Sequence, residues 1–242
     1  VNSTWTYNHI STLWRLCSNP IQIVYPPCRV PEILQPYKQE KNHAEHPRQR
    51  TIVSIGQFRP EKNHKLQIQA LALLLRDQPA LKSSGKEGVK LLLIGSCRNT
   101  DDKQRVDELR QLVSELDLED HVVFNINPPY QDLQAAMAKA SIGIHTMRQE
   151  HFGIGIVEMM AAGLLVIAHN SGGPQSDIVN PGVTGFLATT AEEYADAISK
   201  ALSMNKEAEE LMRRKAQESA TKFSDQAFCT SLVRVLPLLT RK

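Results

Sequence analysis

Cysteine is scarce in this 242-residue chain, and its placement excludes two classes of scaffold. The four thiols, Cys17, Cys28, Cys97 and Cys229, lie far apart with no C-x-x-C pair. Neither a zinc site nor a disulfide framework is built that way, and a reducing compartment fits best. Excess charge of one sign is missing as well. The 28 lysines and arginines nearly balance 26 acids, for a formal net charge of +2. Bulk charge therefore makes no case for nucleic-acid binding. No run of about 18 apolar residues occurs, so the sequence predicts no membrane-crossing helix. The start, "VNSTWTYNHI", has no initiator Met and no signal peptide, which reads as a fragment or a processed piece. In a protein with reduced thiols, the Asn2-Ser3-Thr4 sequon reads as a chance match. No internal repeat or low-complexity tract is present.

What is present from Thr51 onward is an alternation. "TIVSIG" (51–56) precedes a helical pattern near 63–77, "VKLLLIG" (89–95) one near 102–116, and "HVVFNI" (121–126) one near 130–139. "SIGIHT" (141–146) leads to a helix near 154–162, and "LLVIAH" (164–169) to a short one near 174–179. Strands that are apolar throughout, each followed by a helix, predict a parallel sheet covered on both faces. The fold class is therefore α/β, a Rossmann-like doubly wound parallel sheet. After "GFLA" (185–188) the pattern turns helical, over about 191–203, about 205–222 and a last helix from about 223. Residues 1–50 read differently: an amphipathic piece (8–16), a short strand "IQIVYPP", and a Pro-, Lys- and His-rich connection (31–50).

In an open parallel sheet the ligand lies beyond the carboxyl ends of the strands. The loops there are "GQFRPEKNH" (56–64), "GSCRNTDDK" (95–103), "NINPPYQ" (125–131), "HTMRQEHFGIG" (145–155) and "HNSGGPQ" (169–175). Helix amides near Gly153 and Gly173 are candidates for an anion site. Arg59 and Lys62 could neutralise a diphosphate, Arg as a fork and Lys as a point charge. The plain alternative is a solvated helix start, although cations there are mildly disfavoured by the helix dipole. Glu150 and Glu158 would repel a diphosphate, so their use is as acceptors for hydroxyls on its uncharged flanks. Taken alone, the two acids could equally be a surface loop residue and a helix-face residue. His145 and His151 with Glu150 match no common metal-ligand spacing, and suit packing or hydroxyl contacts better. Met159, Met160, Ala161 and Ala162 read as core.

These residues resemble a known family. "EHFGIGIVEMMAAG" resembles the Glu-x7-Glu motif of the retaining glycosyltransferases of family four, which have the GT-B architecture of two Rossmann-like domains. "SIGQFRPEKNH" resembles that family's phosphate loop, and "NSGGPQSDIV" with "GVTGFLA" the loop and strand after the motif. The match runs over roughly 50 to 240, the C-terminal donor half of the GT-B fold. The wording of "GSCRNTDD" and "AHNSGGP" is similar to the branch that adds α-1,2-linked mannose to lipid-linked N-glycan precursors. The resemblance implies GDP-mannose as donor, a dolichol-diphosphate-linked oligomannose as acceptor, retention of configuration and no catalytic metal or other cofactor. It also implies the cytosolic face of the endoplasmic reticulum membrane.

Carried over by position, Glu150 contacts the transferred mannose and Glu158 the ribose. The amides of Phe152, Gly153 and Ile154 face the sugar and diphosphate, and Lys62 holds the diphosphate. The Asn125 to Asn127 loop lies near the base, and Gly172 and Gly173 belong to the donor-binding loops. Where many members carry an arginine directly after the loop glycine, this chain has Gln57, with Arg59 the expected substitute. The implied organisation is a remnant of the N-terminal acceptor domain (1–25), a linker (26–50), the donor domain (51–222) and a helix (223–242) crossing back to the missing domain, through which the membrane is met. By that reading the chain alone transfers nothing. Rival readings are a relative with another donor such as UDP-glucose, and a noncatalytic nucleotide-sugar binding module.

Overall fold

A computed structural model describes residues 1–15, 20–33, 48–83 and 88–240. Cys17 and most of the expected 26–50 linker, residues 34–47, lie outside the described residues. Six strands form one parallel sheet: β1 (Gln49–Ile55), β2 (Lys90–Gly95), β3 (Val122–Ile126), β4 (Ala140–His145), β5 (Leu165–His169) and β6 (Gly185–Ala188). Their spatial order is β3-β2-β1-β4-β5-β6, every pair parallel. The helices are α1 (Thr4–Leu13), α2 (His64–Asp77), α3 (Thr100–Glu115), α4 (Tyr130–Lys139), α5 (Ile154–Ala161), α6 (Ala191–Ser203), α7 (Lys206–Ala220) and α8 (Asp225–Thr240).

Successive strand residues point to opposite faces, and here both faces are core. Ile52, Leu91, Leu93, Ile142, Ile144 and Ile167 join Ile68, Leu71, Val106, Leu109 and Ile198 of α2, α3 and α6. Val53, Ile94, Val166 and Ala168 join Met137, Val157, Met160 and Ala216 of α4, α5 and α7. This double burial is why the strands read as unbroken apolar runs rather than alternating ones. Met159, Met160 and Ala161 are fully buried and Ala162 nearly so. The side chain of Met159 occupies the space over Gly143, where an added Cβ would lie 2.5 Å from its sulfur. Small residues thus seat α5 directly on β4.

The expected strand "IQIVYPP" does not form. Among the described residues, 21–27 have no strand partner; the segment is tied by an isolated bridge at Cys28–Ser224, by the Val24 amide donating to the Val1 carbonyl and by the Val1 ammonium donating to the Gln22 carbonyl. Pro26 and Pro27 lack the N–H that a ladder needs. Instead, Cys28, Val30 and Ile33 are buried in the α5/α7 core layer, and Tyr25 packs beside Phe152 and Phe223. Among the described residues no helix is long and apolar enough to cross a membrane.

The order reverses between β1 and β4: the chain winds outward through β2 and β3, then returns to the other side of β1. The carboxyl ends of those two central strands therefore open a crevice, the usual ligand position in such sheets.

Candidate functional site

Two loops meet at that crevice. The loop after β1 makes a 3-10 turn, Pro60–Lys62, and passes Asn63 in the left-handed region (φ 48) before α2 starts. This turn is fixed from β4. The buried Thr146 hydroxyl donates to the Lys62 carbonyl at 2.7 Å and accepts from Gln67 Nε2 at 2.8 Å. The loop after β4 carries Gln149, also left-handed (φ 54), directly before Glu150. Its amide donates to Ser171 Oγ at 2.8 Å, and the Gly173 amide donates to the Glu150 carbonyl at 2.8 Å.

Gly172 and Gly173 are required by proximity. Gly172 has φ +67, and a Cβ there would sit 2.4 Å from the Glu150 carbonyl oxygen. One on Gly173 would sit 2.6 Å from the Phe152 carbonyl oxygen. These glycines let the β5 loop lie against the segment that carries Glu150. The Gly173 amide, expected to face an anion, is occupied by Glu150, and the segment after it, Pro174–Ile178, is a five-residue π-helix.

The two loops bring Lys62 and Glu150 together. Lys62 Nζ lies 2.8 Å from Glu150 Oε2 and 3.4 Å from Met147 Sδ. His145 Nε2, at the end of β4, lies 3.4 Å from the same carboxylate oxygen. Burial opposes ionisation of Glu150, but the hydrogen bonds and charges of His145 and Lys62 outweigh it and hold the carboxyl at about 2. Burial pushes His145 down, so its ring is neutral near pH 7; its buried Nδ1 has no hydrogen-bond partner among the described residues. Glu150 is therefore a carboxylate at any physiological pH, an acceptor rather than an acid.

Next to it, Gly153 (φ +117) turns the chain into α5, whose first two amides, at Ile154 and Gly155, precede the first intrahelical bond, from the Ile156 amide to the Gly153 carbonyl. Lys62, His145, Glu150 and residues 152–155 line one cavity of about 390 Å³, with Asn2 and Pro26 also in its wall. That volume falls in the range of small-ligand sites. Phe152 itself is buried against Tyr25 and Phe223, while the Ile154 side chain is exposed. Glu158, one turn into α5, is half-buried; burial raises its carboxyl, partly offset by Arg29. No hydrogen bond or ion pair to its carboxylate is found among the described residues.

Arg59 does not join this group. It precedes the 3-10 turn in extended backbone, pairs with Glu61 at 3.7 Å and lines a different cleft with Lys65 and Arg105. Arg59 and Lys62, on either end of the turn, thus line different clefts. Asn125 lies on β3, two strands from β1, and Asn127 is engaged with Cys97, accepting from its amide at 2.9 Å and donating to its carbonyl at 3.0 Å.

Sequence reasoning missed several contributors. Asp177 gathers the N-terminal segment: Thr4 donates to it from its amide (3.0 Å) and hydroxyl (2.6 Å), and Tyr25 from its phenol (2.7 Å). Trp5 stacks on His151 with ring centroids 4.9 Å apart. No local pattern marks contacts across more than 140 residues.

Compared with known proteins, residues 37–219 match the family model of the glycosyl transferases group 1. A human protein named GDP-Man:Man(3)GlcNAc(2)-PP-Dol alpha-1,2-mannosyltransferase is 48% identical over 232 residues, covering 94% of this chain and 46% of its own. A Dictyostelium discoideum protein of the same name is 43% identical over 244 residues, covering 100% of this chain and 47% of its own. The chain thus spans about half the length of the curated relatives it matches. A solved glycosyltransferase from Rickettsia africae ESF-5 shares the fold, with a TM-score of 0.81 at 19% identity over 99% of this chain and 63% of that one. With a parallel sheet of this order and a family match over most of its length, the chain belongs to the group 1 glycosyl transferases.

Proposed function

We propose that this chain is the donor-binding half of a retaining α-1,2-mannosyltransferase that moves mannose from GDP-mannose to a dolichol-diphosphate-linked oligomannose. The observation that carries the reading is the Lys62–Glu150–His145 cluster at the reversal point of the sheet, beside the amino end of α5. The names of relatives at 43–48% identity supply the donor and acceptor classes. The dolichol acceptor in turn implies work at the cytosolic face of the endoplasmic reticulum membrane, with membrane contact made by the other half of a longer protein.

Departure of GDP from the anomeric carbon leaves negative charge on the diphosphate and positive charge on the sugar ring. Lys62 and the α5 amides stabilise the former, and this kind of preorganised electrostatic stabilisation is usually the largest catalytic contribution. Because a fixed ammonium and helix amides do this work, the reading needs no metal. Glu150, held ionised, accepts from the hexose hydroxyls and positions the sugar. Glu158, with no partner of its own among the described residues, accepts from the ribose. The acceptor 2-hydroxyl attacks on the face from which GDP leaves, which gives retention.

The test is mannosyl transfer by a full-length protein carrying Glu150→Ala or Lys62→Ala. Each loses ~10²–10³ in rate, the cost of one oriented group in such a site. Activity within threefold of the parent would contradict these roles, as would transfer by the present chain alone.

A further inference from the structure

The Asn2-Ser3-Thr4 triplet has the spelling of a glycan acceptor, but the fold uses all three residues otherwise. Ser3 is fully buried and caps α1, its hydroxyl accepting from the Thr6 amide at 3.0 Å. Thr4 is bound twice to Asp177. Trp5 lies on His151, the neighbour of Glu150. Three consecutive residues are thereby fixed, the last of them against the loop that carries the site.

Asn2 stands at the end of this locked segment and lines the same cavity as Glu150. The Thr6 hydroxyl donates to Asn2 Oδ1 at 2.7 Å. A hydroxyl has one proton to give, so the 3.0 Å contact between Ser3 and Thr6 has Ser3 as donor. With Oδ1 taken by Thr6, the NH2 group, for which no hydrogen bond is found among the described residues, is the carboxamide's remaining polar group beside the cavity. The cavity then has an acceptor in Glu150, kept ionised by Lys62, and a fixed donor in Asn2. That combination is chemically matched to hydroxyl groups, which both donate and accept.

We propose that Asn2 is a specificity-determining residue whose carboxamide NH2 donates to a hydroxyl of the hexose on the nucleotide diphosphate. The inference rests on the donor-site reading above and adds a wall to it from outside the sheet domain. A site built to hydrogen-bond a hydroxyl discriminates more sharply than an apolar one, because an absent partner leaves its polar group unpaired.

The test is calorimetric titration of the chain and its Asn2→Ala, Asn2→Asp and Thr6→Val variants with GDP and with GDP-mannose. GDP lacks the hexose and reports both on folding and on the nucleotide site. The expected result is GDP affinity within twofold in every variant. GDP-mannose affinity falls about five- to tenfold in Asn2→Ala, the worth of one hydrogen bond. It falls further in Asn2→Asp, which replaces the donor with a second negative charge, and less in Thr6→Val, which only frees the carboxamide to rotate. Unchanged GDP-mannose affinity with GDP binding intact overturns the role of Asn2 and leaves the donor site standing. Equal loss of both ligands means a structural effect and overturns it too. A parent chain that binds neither ligand removes the donor-site reading and this inference together.

Discussion

Replacing Lys62 with methionine keeps most of the side-chain volume and removes the charge, so its consequence falls on Glu150. The two groups are 2.8 Å apart, with side chains 24% and 17% exposed. At an effective dielectric of ~20 the gross attraction is about 6 kcal/mol, and desolvation of the carboxylate takes back much of it. The net is visible in the depression of the Glu150 carboxyl from 4.5 to about 2. That depression corresponds to about 3 kcal/mol, or about 2–3 kcal/mol once screening of a partly exposed pair is allowed for. Burial opposes the depression and His145 shares in it, so the figure is the net of all three influences on Glu150.

The sign follows from linkage. A carboxyl depressed on folding adds stability that is complete above about pH 4.5 and is lost as pH falls toward about 2. In Lys62→Met, burial is the largest remaining influence on Glu150 and raises it. The stability gap between parent and variant, measured by urea unfolding, is therefore about 2–3 kcal/mol near pH 7 and closes as the solution is acidified. A carbon-13 titration of the Glu150 carboxyl reads the same event directly, with a midpoint near 2 in the parent and a higher one in the variant. A gap independent of pH, or an unmoved midpoint, would refute the claim that Lys62 keeps Glu150 ionised.

Other expectations follow from the same geometry. Burial raises the Glu158 carboxyl in the folded chain, so its charge costs stability as pH rises through the ordinary carboxylate range; Glu158→Gln is expected to raise the urea midpoint at pH 7 while weakening nucleotide binding, and a lowered midpoint would contradict this. Asp177→Ala leaves the Thr4 and Tyr25 donors without their acceptor and costs about 2–3 kcal/mol in urea unfolding. It also weakens the Trp5–His151 stack, seen as a change in tryptophan emission; a cost below about 0.5 kcal/mol would show that the segment is not anchored there. Gly172→Ala places a Cβ 2.4 Å from the Glu150 carbonyl at φ +67, and is expected to cost more than about 2 kcal/mol. It also displaces Glu150 and reduces donor binding, so a fully stable variant with parental binding would mean that the β5 loop can withdraw freely.

Much of the fold was legible because each strand is buried on both faces: "TIVSIG", "VKLLLIG" and "LLVIAH" carry no alternation and end at loop residues, so they read as parallel strands. The same rule failed on "IQIVYPP", an apolar run that packs through side chains while two prolines deny it a ladder. Lys62 and Glu150 were legible as candidates, but their direct pairing depends on the sheet order that sets β1 beside β4. Arg59 and Lys62 read as a pair in sequence, but sequence distance says nothing about the 3-10 turn between them, and the two line different clefts. The glycines of "HNSGGPQ" signalled close approach correctly, yet what approaches is the backbone of the Glu150 loop. Asn2, Trp5 and Asp177 were invisible, since each acts across a distance in sequence that no periodicity records.

The central claim is that this chain holds a guanine nucleotide sugar. Calorimetric titration with GDP-mannose, GDP and UDP-glucose, first without metal and then with magnesium, tests that directly. The prediction is binding of GDP and GDP-mannose in preference to UDP-glucose, without dependence on magnesium, and lost in Lys62→Ala and Glu158→Ala. Equal binding of UDP-glucose, binding only with magnesium, or no binding of any nucleotide would contradict it.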